Sequence, residues 1–169
     1  TPYCFEVFLK LYDLTKDQKH LDIAASIARF VHRDLRETER GEGAAAGSYS
    51  PGDNTFVVNA TAYRAMVLYE AAHRFNENAY ATSARRNLNF ILQTQREDGA
   101  WLYALEHKWN FIDNFHTCFV LKNLHKLNRR IQEPEVSKAI ERGFTYYERN
   151  LIDANGMPKS FAVEPRTQL

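Results

Sequence analysis

The sequence has almost no charge imbalance: 22 Lys and Arg stand against 21 Asp and Glu, a formal net charge of +1. That balance lacks the basic footprint of a nucleic-acid binder, and no nucleic-acid partner is expected. Glycine and proline are sparse, at 7 and 5 of 169 residues, and low-complexity tracts are missing, which excludes a disordered or collagen-like chain. Cysteine is rarer still. Cys4 and Cys118 each fall inside an apolar helical pattern, where a thiol acts as a small buried hydrophobe, so a disulfide framework is not expected. No apolar run approaches the ~20 residues of a membrane span, and no basic-then-apolar leader opens the chain. No membrane partner is expected, and a cytoplasmic location fits. The chain starts at Thr1 and stops at VEPRTQL without a structural stop, so it reads as a segment of something longer.

What is present is enough apolar material for a core, 44% hydrophobic with 13% aromatic, in a length suited to one domain. Strand signals are few, and apolar residues recur at helical spacing almost throughout. Six helices are predicted, at about 3–14, 17–36, 55–75, 78–95, 111–128 and 134–150, giving an all-α chain of three antiparallel helix pairs. The second shows one stripe, Leu21, Ala24, Ala28, Val31 and Leu35; the sixth repeats it with Val136, Ile140, Phe144, Tyr147 and Leu151. The first, third and fifth are apolar around more of their circumference, as buried inner helices are. Thr61 can be laid on Thr117 and Gly99 on Gly156 at nearly the same offset, which supports an internal repeat of inner helix, short connection, outer helix and long return. The segment GEGAAAG, 41–47, follows a helix and reads as a flexible loop.

The short connections must share one rim and the long returns the other. Functional residues gather on loops held by a rigid scaffold, so the long-loop rim is where a site is sought. There lies REDGAWLYALEHKWNFIDNFHT, 96–117, with two Trp, two His and several acids.

The stretch RNLNFILQTQREDGAW, with Arg86, Phe90, Ile91, Gln95, Gly99 and Trp101, is similar to the QW motif of terpenoid cyclases, apart from Asn87 where that motif prefers Gly or Ala. The resemblance implies a structural role: Gln ties a helix end to its neighbour, Gly turns the chain and Trp covers the joint. The acid-rich DxDD stretch of squalene-hopene type cyclases is missing. More broadly, YSPGDNTFVVNATAY (49–63), QREDGAWLY (95–103) and IDNFHTCF (112–119) resemble the α/α-toroid proteins that act on carbohydrates, among them uronyl hydrolases, polysaccharide lyases, sugar epimerases and proteins associated with bacterial polysaccharide biosynthesis. That resemblance implies part of an α/α toroid, a saccharide ligand, and the rest of the toroid or a partner chain covering the open helix faces.

Asp113 and His116 lie at i and i+3 at the start of the fifth helix and can share one face. One reading makes His116 a general acid or base oriented by Asp113 or by Asp53 from a neighbouring loop; the other makes Asp113 an N-cap and His116 a rim residue. Tyr103 and Trp109 suit stacking on sugar faces, with Tyr49 and Asn59 on the corresponding loop of the preceding unit. Trp101 is read as a plug at the helix turn. His107, Asp113, His116 and Cys118 supply ligand types, but the spacing points Cys118 away, so no metal site is expected. No phosphate loop or other cofactor motif occurs, and no cofactor is expected. The expected function is hydrolysis, lysis or epimerisation of a uronic-acid or amino-sugar substrate. Two alternatives stand beside it. A terpenoid-cyclase or prenyltransferase-like toroid would line an apolar cavity with Phe5, Phe8, Tyr63, Tyr69 and Phe119, whereas a non-catalytic helical repeat would bind a protein on its concave face.

Overall fold

A computed structural model describes residues 1–106 and 110–163. Its helices are α1 (Pro2–Thr15), α2 (Gln18–Arg33), α3 (Val58–Phe75), α4 (Asn78–Gln93), α5 (Asn114–Ile131) and α6 (Pro134–Asn150). They pack as antiparallel pairs, α1 with α2, α3 with α4 and α5 with α6, and α3 lies between α1 and α5. Eleven of the eighteen α3 residues are buried, which makes it the central inner helix. The outer helices bury one stripe each, Ala24, Ala28 and Val31 on α2 and Val136, Ala139 and Gly143 on α6.

The pairs are built alike at their short turns. Each inner helix ends on a left-handed residue, Lys16, Asn76 or Gln132, and each outer helix starts after an acidic one, Asp17, Glu77 or Glu133. The left-handed residue closes the helix by returning its N–H to the last turn, and the next residue enters the new helix from extended backbone. Only Asn among the three is at ease there; Lys and Gln carry the steric cost of a positive φ.

Several boundaries and faces differ from expectation. The stretch 41–47 is not wholly a flexible loop: Ala45–Gly47 forms β2, paired antiparallel with β1 (Glu37–Glu39), and Ala44 to Ala46 are fully buried. Small side chains allow this close approach, for a Cβ on Gly47 would lie 2.6 Å from Arg64 Cδ. Cys4 is exposed on α1 and Cys118 half-buried, and both are free thiols. Phe144 is also exposed, because the buried stripe of α6 runs through Val136, Ala139 and Gly143, with the Trp101 ring against Gly143, and Phe144 lies one residue further round the helix.

Trp101 is the plug that its sequence context implies. It is 2% exposed and donates its indole N–H to Ile91 O at 2.9 Å. Gln95 donates to Gly99 O and to Ala139 O, so it ties the end of α4 to α6, and Gly99 turns the chain at φ +94°. Asn87, the departure from the QW pattern, is fully buried; it donates to Ala45 O and accepts from Arg64, fastening the hairpin to the helices.

The long returns lie on the opposite rim and brace the starts of the inner helices. Val57 bridges to Ala104, and Asp113 bridges to Phe161. The returns after α4 and α6 thus fix the first turns of α3 and α5, the inner helices of their own units.

Candidate functional site

The first turns of α1, α3 and α5 converge around a cleft of about 580 Å³, lined by Tyr3, Tyr49, Asn59, Tyr63, His116 and Phe119 among others. Three predicted site residues, Tyr49, Asn59 and His116, therefore face one space.

His116 is placed by Asp113. The carboxylate caps α5 by accepting the His116 backbone N–H at 2.7 Å, and its other oxygen lies 2.6 Å from the imidazole Nδ1. Asp113 is 7% exposed, and the bridge to Phe161 fixes its backbone. The two readings of Asp113 are thus compatible: one oxygen caps while the other orients a ring. Tyr103 packs on that ring at 4.5 Å between centroids and stacks on Phe111 at 4.9 Å, so it walls the imidazole. Burial pushes the Tyr103 phenol above its ordinary range, and the nearby Asp53 and Asp113 carboxylates add to that. It stays protonated at neutral pH.

Asp53 does a different job. One oxygen accepts from the Tyr49 backbone N–H, the other from the Thr55 N–H, and the Thr55 hydroxyl reaches both. Partial burial raises the Asp53 carboxyl, but these bonds outweigh it and hold it below the usual carboxylate range. Asp53 orders the loop that presents Tyr49. Trp109 and His107 lie outside the described residues.

Two buried oxygens at the cleft are unmatched. Asn59 Oδ1 and Ser48 Oγ have no hydrogen-bond partner among the described residues, although the two side chains are 95% and 92% buried. A buried oxygen without a partner is costly, and both belong to residues of the cleft wall. Arg64 closes the floor and is fully engaged: it donates to Val31 O, His32 O, Asn87 Oδ1 and Glu37. It holds the wall rather than offering a charge.

Sequence reasoning missed Ser48, Arg64 and Lys122. The Arg64 signal was available, a lone cation in the apolar run NATAYRAMVLYEAA. Of the inner aromatics named for a terpenoid cavity, Tyr63 and Phe119 line the cleft, while Phe5 is sealed in the core. Cys118 turns to the Tyr147 hydroxyl, 3.3 Å away, not toward His116. Among the described residues no helix is long and apolar enough to cross a membrane, and no three metal-type ligands cluster.

The sequence matches no protein-family model and no curated protein. The fold is well matched among solved structures. The Lin0763 protein from Listeria innocua aligns over 92% of this chain at 12% identity and a TM-score of 0.75, covering 46% of its own length. Cellobiose 2-epimerase from Bacillus thermoamylovorans aligns over 93% at 13% identity and a TM-score of 0.71, covering 45%. Unsaturated glucuronyl hydrolase from Bacillus sp. GL1, described as responsible for glycosaminoglycan degradation, aligns over 93% at 14% identity and a TM-score of 0.69, covering 48%. The chain spans about half the length of each. With the alternation of inner and outer helices and the two distinct rims, these likenesses establish the architecture as three consecutive helix pairs of an α/α toroid.

Proposed function

We propose that the chain supplies the acid/base side of a saccharide-binding cleft in a carbohydrate-active toroid, with a uronic-acid or amino-sugar substrate. The observation that carries this reading is His116, held by the buried Asp113 behind it, facing a cleft whose wall residues Asn59 and Ser48 have oxygens without a partner among the described residues. Asp113 occupies Nδ1, so Nε2 is the ring nitrogen that gives or takes a proton. Asn59 and Ser48 turn their unpaired oxygens to sugar hydroxyls when a ligand fills the cleft, and the exposed Tyr49 ring stacks on a sugar face. Tyr103 and Asp53 are positioning residues, the first for the imidazole and the second for the Tyr49 loop. The solved structures of similar fold support a sugar ligand in general, since a cellobiose 2-epimerase and an unsaturated glucuronyl hydrolase are among them. Exposed Val7 and Leu14 on α1 are covered by the rest of the ring or by a partner chain.

The test is a screen of the protein against unsaturated uronides, glucuronides and amino-sugar disaccharides for hydrolysis, elimination and epimerisation, followed by His116→Ala. The expected result is turnover of one class and its loss, by at least about 100-fold, in the variant. Turnover unchanged in His116→Ala removes the proposed role of the imidazole; no sugar bound or turned over removes the substrate class.

A further inference from the structure

Beside the cleft, three side chains from three helices meet, two of them, Tyr3 and Tyr63, in its lining. Tyr3 of α1 and Tyr63 of α3 share a hydrogen bond between their hydroxyls at 2.7 Å. Lys122 of α5 donates to both, at 3.1 Å to Tyr3 and 2.9 Å to Tyr63. Its ammonium also lies within about 5 Å of the Tyr3, Tyr63 and Phe119 ring centres, so the charge is held by aromatic faces as well as by oxygens.

The setting of Lys122 is unlike that of its neighbours on the same inner surface. Lys126 pairs with Glu6, Arg130 with Glu70 and Arg74 with Asp13, whereas Lys122 has no carboxylate among its partners in the described residues. A cation placed on two phenol oxygens favours negative charge on one of them.

Proton bookkeeping chooses which. Each phenol has one hydrogen, and only one can lie between the two oxygens. Tyr63 is 9% exposed and gains most by donating inward, to Tyr3. Tyr3 is 53% exposed and lines the cleft, so its own hydrogen is the one directed there. The bonds from Tyr63 and then Lys122 hold the Tyr3 phenol below the ordinary tyrosine value, while burial pushes that of Tyr63 up. The other titratable groups around the pair include Glu6 on the same helix, which opposes the effect and is itself paired with Lys126, and His116, which lines the same cleft and packs against Phe119.

We propose that Tyr3 is a proton-donating group of this cleft, and that Lys122 and Tyr63 hold its phenolate oxygen once the proton has left. In the step, the Tyr3 O–H bond breaks and an O–H bond forms on a ligand oxygen. The electron pair stays on Tyr3, where it is met by two donors, and reversal of the step restores the phenol. The saccharide reading above supplies the acceptor, a sugar oxygen; the acidity of Tyr3 stands apart from it. The cleft then carries two proton-transfer groups, His116 and Tyr3, on first turns of helices that flank α3.

The test is a pH titration of the protein with ¹³Cζ-labelled tyrosine, followed by NMR, in the wild type and in Tyr3→Phe, Lys122→Met and Lys122→Arg. One resonance is expected to titrate below about 10, the ordinary tyrosine value. It should vanish in Tyr3→Phe, move up in Lys122→Met and return in Lys122→Arg. These substitutions leave the buried core intact, and the remaining tyrosine resonances report folding in each sample. A Tyr3 resonance that titrates at or above about 10, or an early resonance that survives Tyr3→Phe, overturns the proposal. Adding glucuronate and N-acetylglucosamine separates the two readings. A shift of the Tyr3 resonance supports both, whereas no shift with Tyr3 still titrating early removes the sugar acceptor and keeps the acid.

Discussion

Asp113 grips His116 with two different atoms, Oδ1 on the backbone N–H at 2.7 Å and Oδ2 near the ring Nδ1 at 2.6 Å. A helix cap and a side-chain orienter are usually separate residues. Here one carboxylate serves both, so the direction of the imidazole is tied to the start of α5, and that start is tied to the return loop through Phe161.

That double role separates the effects of two substitutions. Asparagine caps a helix about as well as aspartate, so Asp113→Asn is expected to keep the urea midpoint near that of the wild type while altering the ¹⁵N pattern of the His116 ring. Asp113→Ala removes the cap as well and is expected to cost about 1 kcal/mol or more. Equal destabilisation by both would show that charge, not capping, holds the helix start.

Gly143 lies under the Trp101 ring, with no room for a Cβ. Gly143→Ala is expected to destabilise the protein by about 1–3 kcal/mol as the indole is forced from its site and from Ile91 O. Tryptophan fluorescence and chemical denaturation together read this. A gain in stability, as expected for Gly→Ala in an open helix, would contradict the packing described here.

Gln132 ends α5 at φ +54°. Gln132→Gly is expected to raise stability by about 0.5–1 kcal/mol, since relief of the left-handed strain exceeds the added freedom of the unfolded chain. The same change at Asn76 should gain less, because asparagine already tolerates this conformation. Denaturation midpoints of the two variants provide the comparison.

Burial, then the nearby Arg64 cation, depresses the His32 imidazole below its ordinary value. With a folded pKa below the unfolded one, the unfolded state binds protons first as pH falls. Stability is therefore complete above about 6.5 and declines as pH drops from there through the folded value. His32→Gln is expected to flatten this part of the curve, read as thermal midpoints between pH 7 and 5. A wild-type curve that rises on acidification in this window would contradict the assignment.

Much of the scaffold is legible in the sequence. The stripes of α2 and the polar turn signals mark six helices, and the paired offsets of Thr61 with Thr117 and Gly99 with Gly156 mark the repeat. The roles of Gln95, Gly99 and Trp101 were legible too, because they act within one helix end and one turn. The Ala45–Gly47 strand was not: small residues carry no strand signal of their own, and the segment is extended because α3 and α4 leave a narrow slot for it. Phe144 fails as a core residue because Trp101, distant in sequence, packs on Gly143 and sets the buried face of α6 one residue away from it.

The sequence by itself determined which segments are helices, which faces are apolar, and that Asp113 and His116 share a helix start, because those properties follow from spacing of a few residues. Only the tertiary structure decided that Tyr3, Tyr63 and Lys122 meet, across separations of 60 and 119 residues. Periodicity says that a face is covered but not by what. The curvature of three packed helix pairs brings the first turns of the inner helices to one cleft, and that curvature is a property of the packed assembly of side chains, not of any single segment.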